Sequence, residues 1–205
     1  MTSHDAEPLS PDDHDVTVVP AADVPDEAGI AAAASAMRLV ELCREIEKHV
    51  ASEGWDQPAR MFALARTSEL VALEPALAEV LGAEGHDPES LTPIEQEALD
   101  AERPLDEVLA TTTWPDEVAG AALVLERIVL PPSAEEALPD DDQDGLEATV
   151  AAHPERQDVR MAVVVLREGG RMCALRLRSH DTDAEVLVGP DVVPRLAEAL
   201  SATFS

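Results

Sequence analysis

Two β-rich runs meet at Gly169-Gly170 in this 205-residue chain, and no other feature constrains the fold as tightly. Residues 158–167 and 171–178 are dense in Val, Leu, Met and Arg. A glycine pair between such runs marks a tight hairpin, because both central positions of a two-residue turn favour positive φ. With that turn, Glu168 stands opposite Arg171, Leu166 opposite Cys173, Val164 opposite Leu175 and Ala162 opposite Leu177. One hairpin face is then consistently apolar. The other carries Met161, Val163, Val165 and Arg167 beside Met172, Ala174, Arg176 and Arg178. An antiparallel pair with this register is the nucleus around which the remaining elements are arranged.

Helical periodicity is clearest over residues 28–53. Ile30, Ala33, Met37, Val40, Cys43, Ile46 and Val50 recur at intervals of three or four and form one stripe, with Gly54 as a stop. The turn Trp55-Asp56-Gln57-Pro58 follows, then a strand over 60–65 with Phe62 and Leu64 inward. Short helices are expected before and after Pro75 and again over 104–110. Residues 118–130 contain the unbroken run Ala121-Ala122-Leu123-Val124-Leu125, which suits a strand buried on both faces. A short strand over 185–188 and an amphipathic helix over 191–203, with Val192, Leu196 and Leu200 inward, complete the order. This pattern predicts an α+β fold of two layers, a mostly antiparallel sheet with helices packed on one face.

The charge is distributed unevenly. The formal net charge is −29, from 43 acidic and 14 basic residues. Residues 1–27, 83–102 and 133–147 hold eight, seven and seven acids and no Lys or Arg. The first segment is expected to be a disordered acidic tail, since it lacks the apolar surface to offset its ordering entropy. The other two are expected to be acidic loops on a single domain spanning 28–205. Such a balance opposes nucleic-acid phosphates and anionic lipid surfaces, so neither nucleic acid nor membrane is an expected partner. The N-terminal stretch has no signal-peptide pattern, no apolar run reaches the length of a membrane helix, and only Cys43 and Cys173 are present. These features point to a reducing cytoplasm. Arginine is used almost to the exclusion of lysine, a bias of GC-rich bacterial genomes.

No nucleotide-binding, nucleophile-elbow or zinc-protease motif occurs, and no cofactor is expected. Asp140-x-Asp142-x-Asp144-Gly145 copies the first half of a calcium loop, but Ala151 stands where a bidentate Glu is required. His180-Asp181-x-Asp183-x-Glu185 lacks the second ligand cluster of a closed metal site and is read as a polar loop. Cys173 falls mid-strand on an apolar face, where a thiol is inert. The arginines are more informative: Arg156, Arg160, Arg167, Arg171, Arg176 and Arg178 fall in one stretch of an otherwise acidic chain. Arg167, Arg176 and Arg178 could receive an acidic ligand or partner, or pair with the chain's own carboxylates. Trp55 and Trp114, nearly the only large aromatics, each open a turn.

Four motifs carry a family resemblance. They are Gly54-Trp55-Asp56-Gln57-Pro58, Trp114-Pro115-Asp116-Glu117-Val118-Ala119-Gly120, Glu126-Arg127 with Leu130-Pro131-Pro132, and Cys173-Ala174-Leu175-Arg176-Leu177-Arg178-Ser179-His180-Asp181. From about Met37 to Phe204 the chain resembles a conserved hypothetical family of actinobacteria named after a locus of the acne bacterium. The resemblance implies a cytoplasmic actinobacterial protein and brings no activity and no catalytic residues with it.

Three functions are therefore in play. The first is a non-catalytic binding or regulatory module that uses the Arg-rich hairpin face, with Trp55, Trp114, Arg167, Arg176, Arg178, His180 and Asp181 as its binding residues and a protein or small acidic ligand as its partner. The second is a small enzyme whose site forms near the tryptophan turns and His180/Asp181. The third is an acidic, chaperone-like protein that shields a basic partner.

Overall fold

Asp26 opens the first helix: its side chain accepts a hydrogen bond from the Gly29 N–H at 2.8 Å, satisfying a donor that the first helical turn leaves free. The computed structural model describes residues 26–81, 87, 89–100, 102–130, 150 and 152–204. Helix α1 runs Glu27–Ala51. Leu39, Leu42, Cys43, Ile46 and Val50 are its buried apolar residues, and burial of each aliphatic side chain contributes about 1.5–3 kcal/mol. The inner stripe is thus rotated from the expected one. Ile30 and Met37 are 59% and 65% exposed, because the N-terminal half of α1 extends past the sheet.

Six strands form one antiparallel sheet in the order β2-β1-β3-β4-β5-β6. They are β1 (Arg60–Arg66), β2 (Leu91–Glu95), β3 (Val118–Val129), β4 (Gln157–Leu166), β5 (Arg171–Leu177) and β6 (Leu187–Gly189). Short helices α2 (Thr67–Leu73) and α3 (Leu77–Val80) lead from β1 to β2, and α4 (Leu105–Thr111) leads from β2 to β3. Helix α5 (Pro194–Ser201), which starts on a proline in its first turn, follows β6. One edge strand contains Pro93 and the other has only three residues.

The α+β class is as expected, but the layering is not. Helix α1 covers one face, packing on Phe62, Leu64, Ala122, Val124, Ala162 and Val164. Helices α4 and α5 cover the other, where Leu109, Ala197 and Leu200 meet Met61, Ala121, Leu123 and Val163. Helices therefore lie on both faces, in three layers. The cause lies in the strands, whose apolar side chains alternate to both sides and require cover on each. The expectation of a two-layer fold with all helices on one face is corrected accordingly.

The hairpin exists, but its register differs from the expected one by three residues. Val163 pairs with Cys173, Ala162 with Ala174 and Arg160 with Arg176. The Leu166 carbonyl accepts from the Gly169 N–H and the Leu166 N–H donates to the Gly170 carbonyl, so three residues, Arg167 to Gly169, make the turn. An odd shift exchanges the faces of one strand against the other. Arg176 therefore does not share a face with Met161 and Val163; it stands beside Ala162 and Val164, under α1.

Two further expectations change. Residues 83–102 are not simply a loop, because Leu91–Glu95 forms edge strand β2 against β1, with Leu91 packed on the α1-side core. An edge position tolerates Pro93, which has no N–H to donate. Asp26 and Glu27, expected in a disordered tail, belong to the cap and first turn of α1. The rest of that segment, residues 1–25, and residues 133–147, expected as an acidic loop and holding the Asp140-x-Asp142-x-Asp144 motif, lie outside the described residues.

Candidate functional site

Register places charge in a row across the sheet. Glu126 of β3 pairs with Arg160 of β4, and Arg160 pairs with Arg176 of β5. All three point to the α1 side. Two arginines directly opposite one another repel, and here both are buried, at 0% and 3% exposure. Glu47 on the inner face of α1 resolves the repulsion. Its carboxylate takes a bidentate pair from Arg176 at 2.7 Å for each bond and lies 3.9 Å from Arg160. Glu126 accepts from Arg160 Nη2 at 2.7 Å on the other side.

The loop after α1 completes the cluster. Gly54, at φ 94°, turns the chain away from the helix, and its carbonyl accepts from Arg160. Trp55 receives the Arg160 guanidinium 4.4 Å and the Arg178 guanidinium 5.5 Å from its ring centroid, and its indole N–H donates to Asp181 at 2.9 Å. Asp56, at φ 67°, holds Arg178 through both carboxylate oxygens while its N–H donates to Glu126. Aspartate tolerates this left-handed conformation better than most residues. Gln57 donates to the carbonyls of Val50 and Gly54, tying the loop to the end of α1. Asp181 and Asp183 give Arg176 two further acceptors at 3.2 and 2.9 Å, and Lys48 reaches Asp183 at 3.2 Å.

The electrostatics follow from these contacts. Hydrogen bonding to Glu47 raises the already high pKa of Arg176. The Arg178 guanidinium holds the Asp56 carboxyl below its ordinary value, and Arg176, then Lys48, do the same to Asp183. Burial pushes the Cys43 thiol up to about 12, and burial likewise raises Cys173. Both cysteines are fully buried. No group of three metal-ligating side chains occurs among the described residues, and Asp181 and Asp183 are directed at Arg176.

The seven residues singled out in the sequence divide into two places. Trp55, Arg176, Arg178 and Asp181 meet in the cluster, while His180 is exposed beside it, its Nδ1 3.0 Å from the Ser179 hydroxyl. Trp114 and Arg167 lie at the opposite face. Trp114 stacks on Phe204 with centroids 6.0 Å apart and donates to the Thr203 hydroxyl. Arg167 donates to the carbonyls of Trp114, Pro115 and Val118, and its guanidinium lies 4.8 Å from the Phe204 centroid. Trp55 and Trp114 therefore do not converge on one site, as the enzyme alternative required.

Three of the four sequence motifs meet at the buried charge row, where Glu126 and Arg176 stand at its two ends and the loop 54–58 closes over Arg160, and the fourth brings Trp114 against the C-terminal turn; Pro131 and Pro132 lie outside the described residues. A family profile described as PPA1309-like protein matches residues 39–205. The chain belongs to the PPA1309-like family. No curated protein and no solved structure matches it. The match begins where α1 enters the core at Leu39, so the PPA1309-like region comprises the sheet, both helical covers and the buried cluster.

A second feature escaped the sequence. At the other end of the sheet, α1, the start of β2 and the hairpin turn enclose an open groove of about 430 Å³. Leu39, Leu42, Leu91, Ala119 and Leu166 line it, and carboxylates stand at its rim. The signal was present in Leu39 and Leu42, which continue the Cys43-Ile46-Val50 spacing toward the N-terminus. A stripe drawn through Met37 and Ile30 instead passes to the exposed side.

Proposed function

We propose that this member of the PPA1309-like family is a non-catalytic binding module of the actinobacterial cytoplasm whose partner is a basic protein. One observation carries the reading. The three arginines that could have received an acidic ligand are consumed internally: Arg176 is buried against Glu47 beside the equally buried Arg160–Glu126 pair, Arg178 is paired with Asp56, and Arg167 is spent on backbone carbonyls. The outward charge is correspondingly acidic, within a chain of net charge −29. Such a surface attracts cationic partners over a distance set by salt. No helix among the described residues is long and apolar enough to cross a membrane.

The test is affinity capture from the native host with the full chain as bait, at about 50 and about 500 mM salt, where screening lengths differ several-fold. Captured proteins should be enriched in basic ones and released by the higher salt. A captured set that is acidic, or held equally at both salts, would count against the reading.

A further inference from the structure

We propose that the groove between α1 and the β2 end of the sheet is the docking site for a cationic amphipathic helix of a partner protein. The proposal deepens the functional reading above and rests on it. Its basis is a coincidence of three things: an apolar floor, an acidic rim, and an absence of Lys and Arg from residues 1–25, 82–86, 88 and 131–149 of the chain.

The floor consists of Leu39 and Leu42 from α1, Leu91 from β2, Ala119 from β3 and Leu166 from β4. Leu91, Ala119 and Leu166 are only half-buried, so apolar surface remains open to an incoming side chain. The rim is five carboxylates, Glu41, Glu45, Asp87, Glu89 and Glu168, against two arginines. Arg38 is already bound to Asp87 at 2.8 Å. Arg66 is shared between Glu69, Glu89 and Glu168, with no approach closer than 3.6 Å. Glu41 and Glu45, one helical turn apart on α1, form no ion pair among the described residues. They are exposed and project over the groove as an unneutralised pair.

The occupant follows from charge. Residues 1–25, 82–86, 88 and 131–149 contain no Lys or Arg, so none of them complements an acidic rim. The same segments of a second copy are excluded for the same reason. A partner with Lys or Arg flanking an apolar stripe satisfies both parts of the groove. The groove runs beside a helix, and helix-in-groove recognition uses apolar anchors at intervals of three or four with charges on their flanks. From Ser35 to Glu45, α1 offers about 15 Å of length, which matches three turns of a partner helix.

The experiment uses the full chain and a labelled 18-residue peptide of Leu and Lys, with Leu at intervals of three and four, read by fluorescence anisotropy at low salt. A peptide with Glu in place of every Lys is the control. The wild type should bind the Lys peptide and not the Glu peptide. Glu41→Gln/Glu45→Gln, two exposed positions, should weaken binding about tenfold or more, equivalent to the loss of two charge-assisted contacts. Ser35→Trp, which fills the groove from an exposed position, should do the same by steric means. Asp106→Asn/Glu107→Gln on α4 removes equal charge from the opposite face and should change binding by no more than about twofold. Two results overturn the proposal and are distinguishable. If the wild type binds but the groove variants bind equally well, the site is elsewhere and the basic-partner reading stands. If the wild type fails to bind the Lys peptide, or binds the Glu peptide as well, both fall.

Discussion

Replacing Glu47 and Arg176 singly and together tests the energetic logic of the buried row. Each is at most 3% exposed, and they share two 2.7 Å hydrogen bonds. Arg176→Met leaves Glu47 buried with its nearest remaining cation, Arg160, 3.9 Å away. Glu47→Met leaves Arg176 with Asp181 and Asp183, both exposed, and Arg160 with Glu126. Breaking one side of a buried pair costs about 3–5 kcal/mol, because the orphaned charge keeps its desolvation penalty. Arg176→Met should lie at the upper end, since Glu47 has fewer other partners, and Glu47→Met at the lower. At about 2–4 °C per kcal/mol for a chain of this size, melting falls by roughly 6–20 °C. The double variant removes both charges and replaces them with apolar volume, so it should lie within about 2 kcal/mol of the wild type. The coupling is then about 4 kcal/mol or more, above the usual range for contacting residues. Urea unfolding followed by far-ultraviolet circular dichroism measures the cycle globally, while Trp55 fluorescence, read in a Trp114→Phe background, reports the cluster locally. Additive losses, or single losses below about 1 kcal/mol as for exposed pairs, would refute the argument.

Four other outcomes are expected. At about pH 8 neither cysteine should react with a thiol reagent in the native protein, and both should react in denaturant; native labelling of Cys43, whose thiol is pushed up to about 12, would contradict its burial. Gly120→Ala should destabilise by about 1–3 kcal/mol, since its Cβ would stand 2.5 Å from the Val165 carbonyl oxygen within the β3–β4 ladder, and an unchanged melting temperature would refute this. The Asp56 carboxyl, held down by Arg178, contributes stability that is present above its ordinary value of 3.8 and lost as pH falls through the depressed one; the melting gap between wild type and Arg178→Met should be flat from about pH 5 to 8 and close in more acid solution, and a gap undiminished at about pH 2 would refute the pairing. Asp26→Ala should raise hydrogen exchange in the first turns of α1 while leaving global unfolding nearly unchanged, because that half of the helix extends past the sheet; an equal loss of global stability would show that it is packed.

Local signals carried most of the elements and little of their arrangement. The helix, the strands at 60–66, 118–129, 157–166 and 171–177, and the closing helix follow from periodicity and turn residues. The register failed because β4 is apolar on both sides: Val163, Val164 and Val165 pack alternately to the two covers, so alternation could not distinguish one pairing from another. The run 121–125 already required cover on both faces, which is the same fact viewed from β3. Of the candidate site, the motifs mark Trp55, Arg176, Arg178 and Asp181 alongside Trp114, Arg167 and His180 without distinguishing the residues that meet from those that do not, and they leave Glu47 out. It sits among the polar residues of α1 in sequence, and only its spacing of four from Cys43 and three from Val50 places it inward.

The margins of the sheet have a consequence for how this protein meets others. An open sheet ordinarily offers its outermost backbone groups to any passing extended chain, in recognition or in aggregation. Here one margin is broken by Pro93, which has no amide hydrogen to give, and the other ends after Leu187, Val188 and Gly189. Recruitment by main-chain pairing is poorly served at both. Selection among partners therefore falls to side chains, and thus to sequence, and the two edges of this sheet are poor templates for one another.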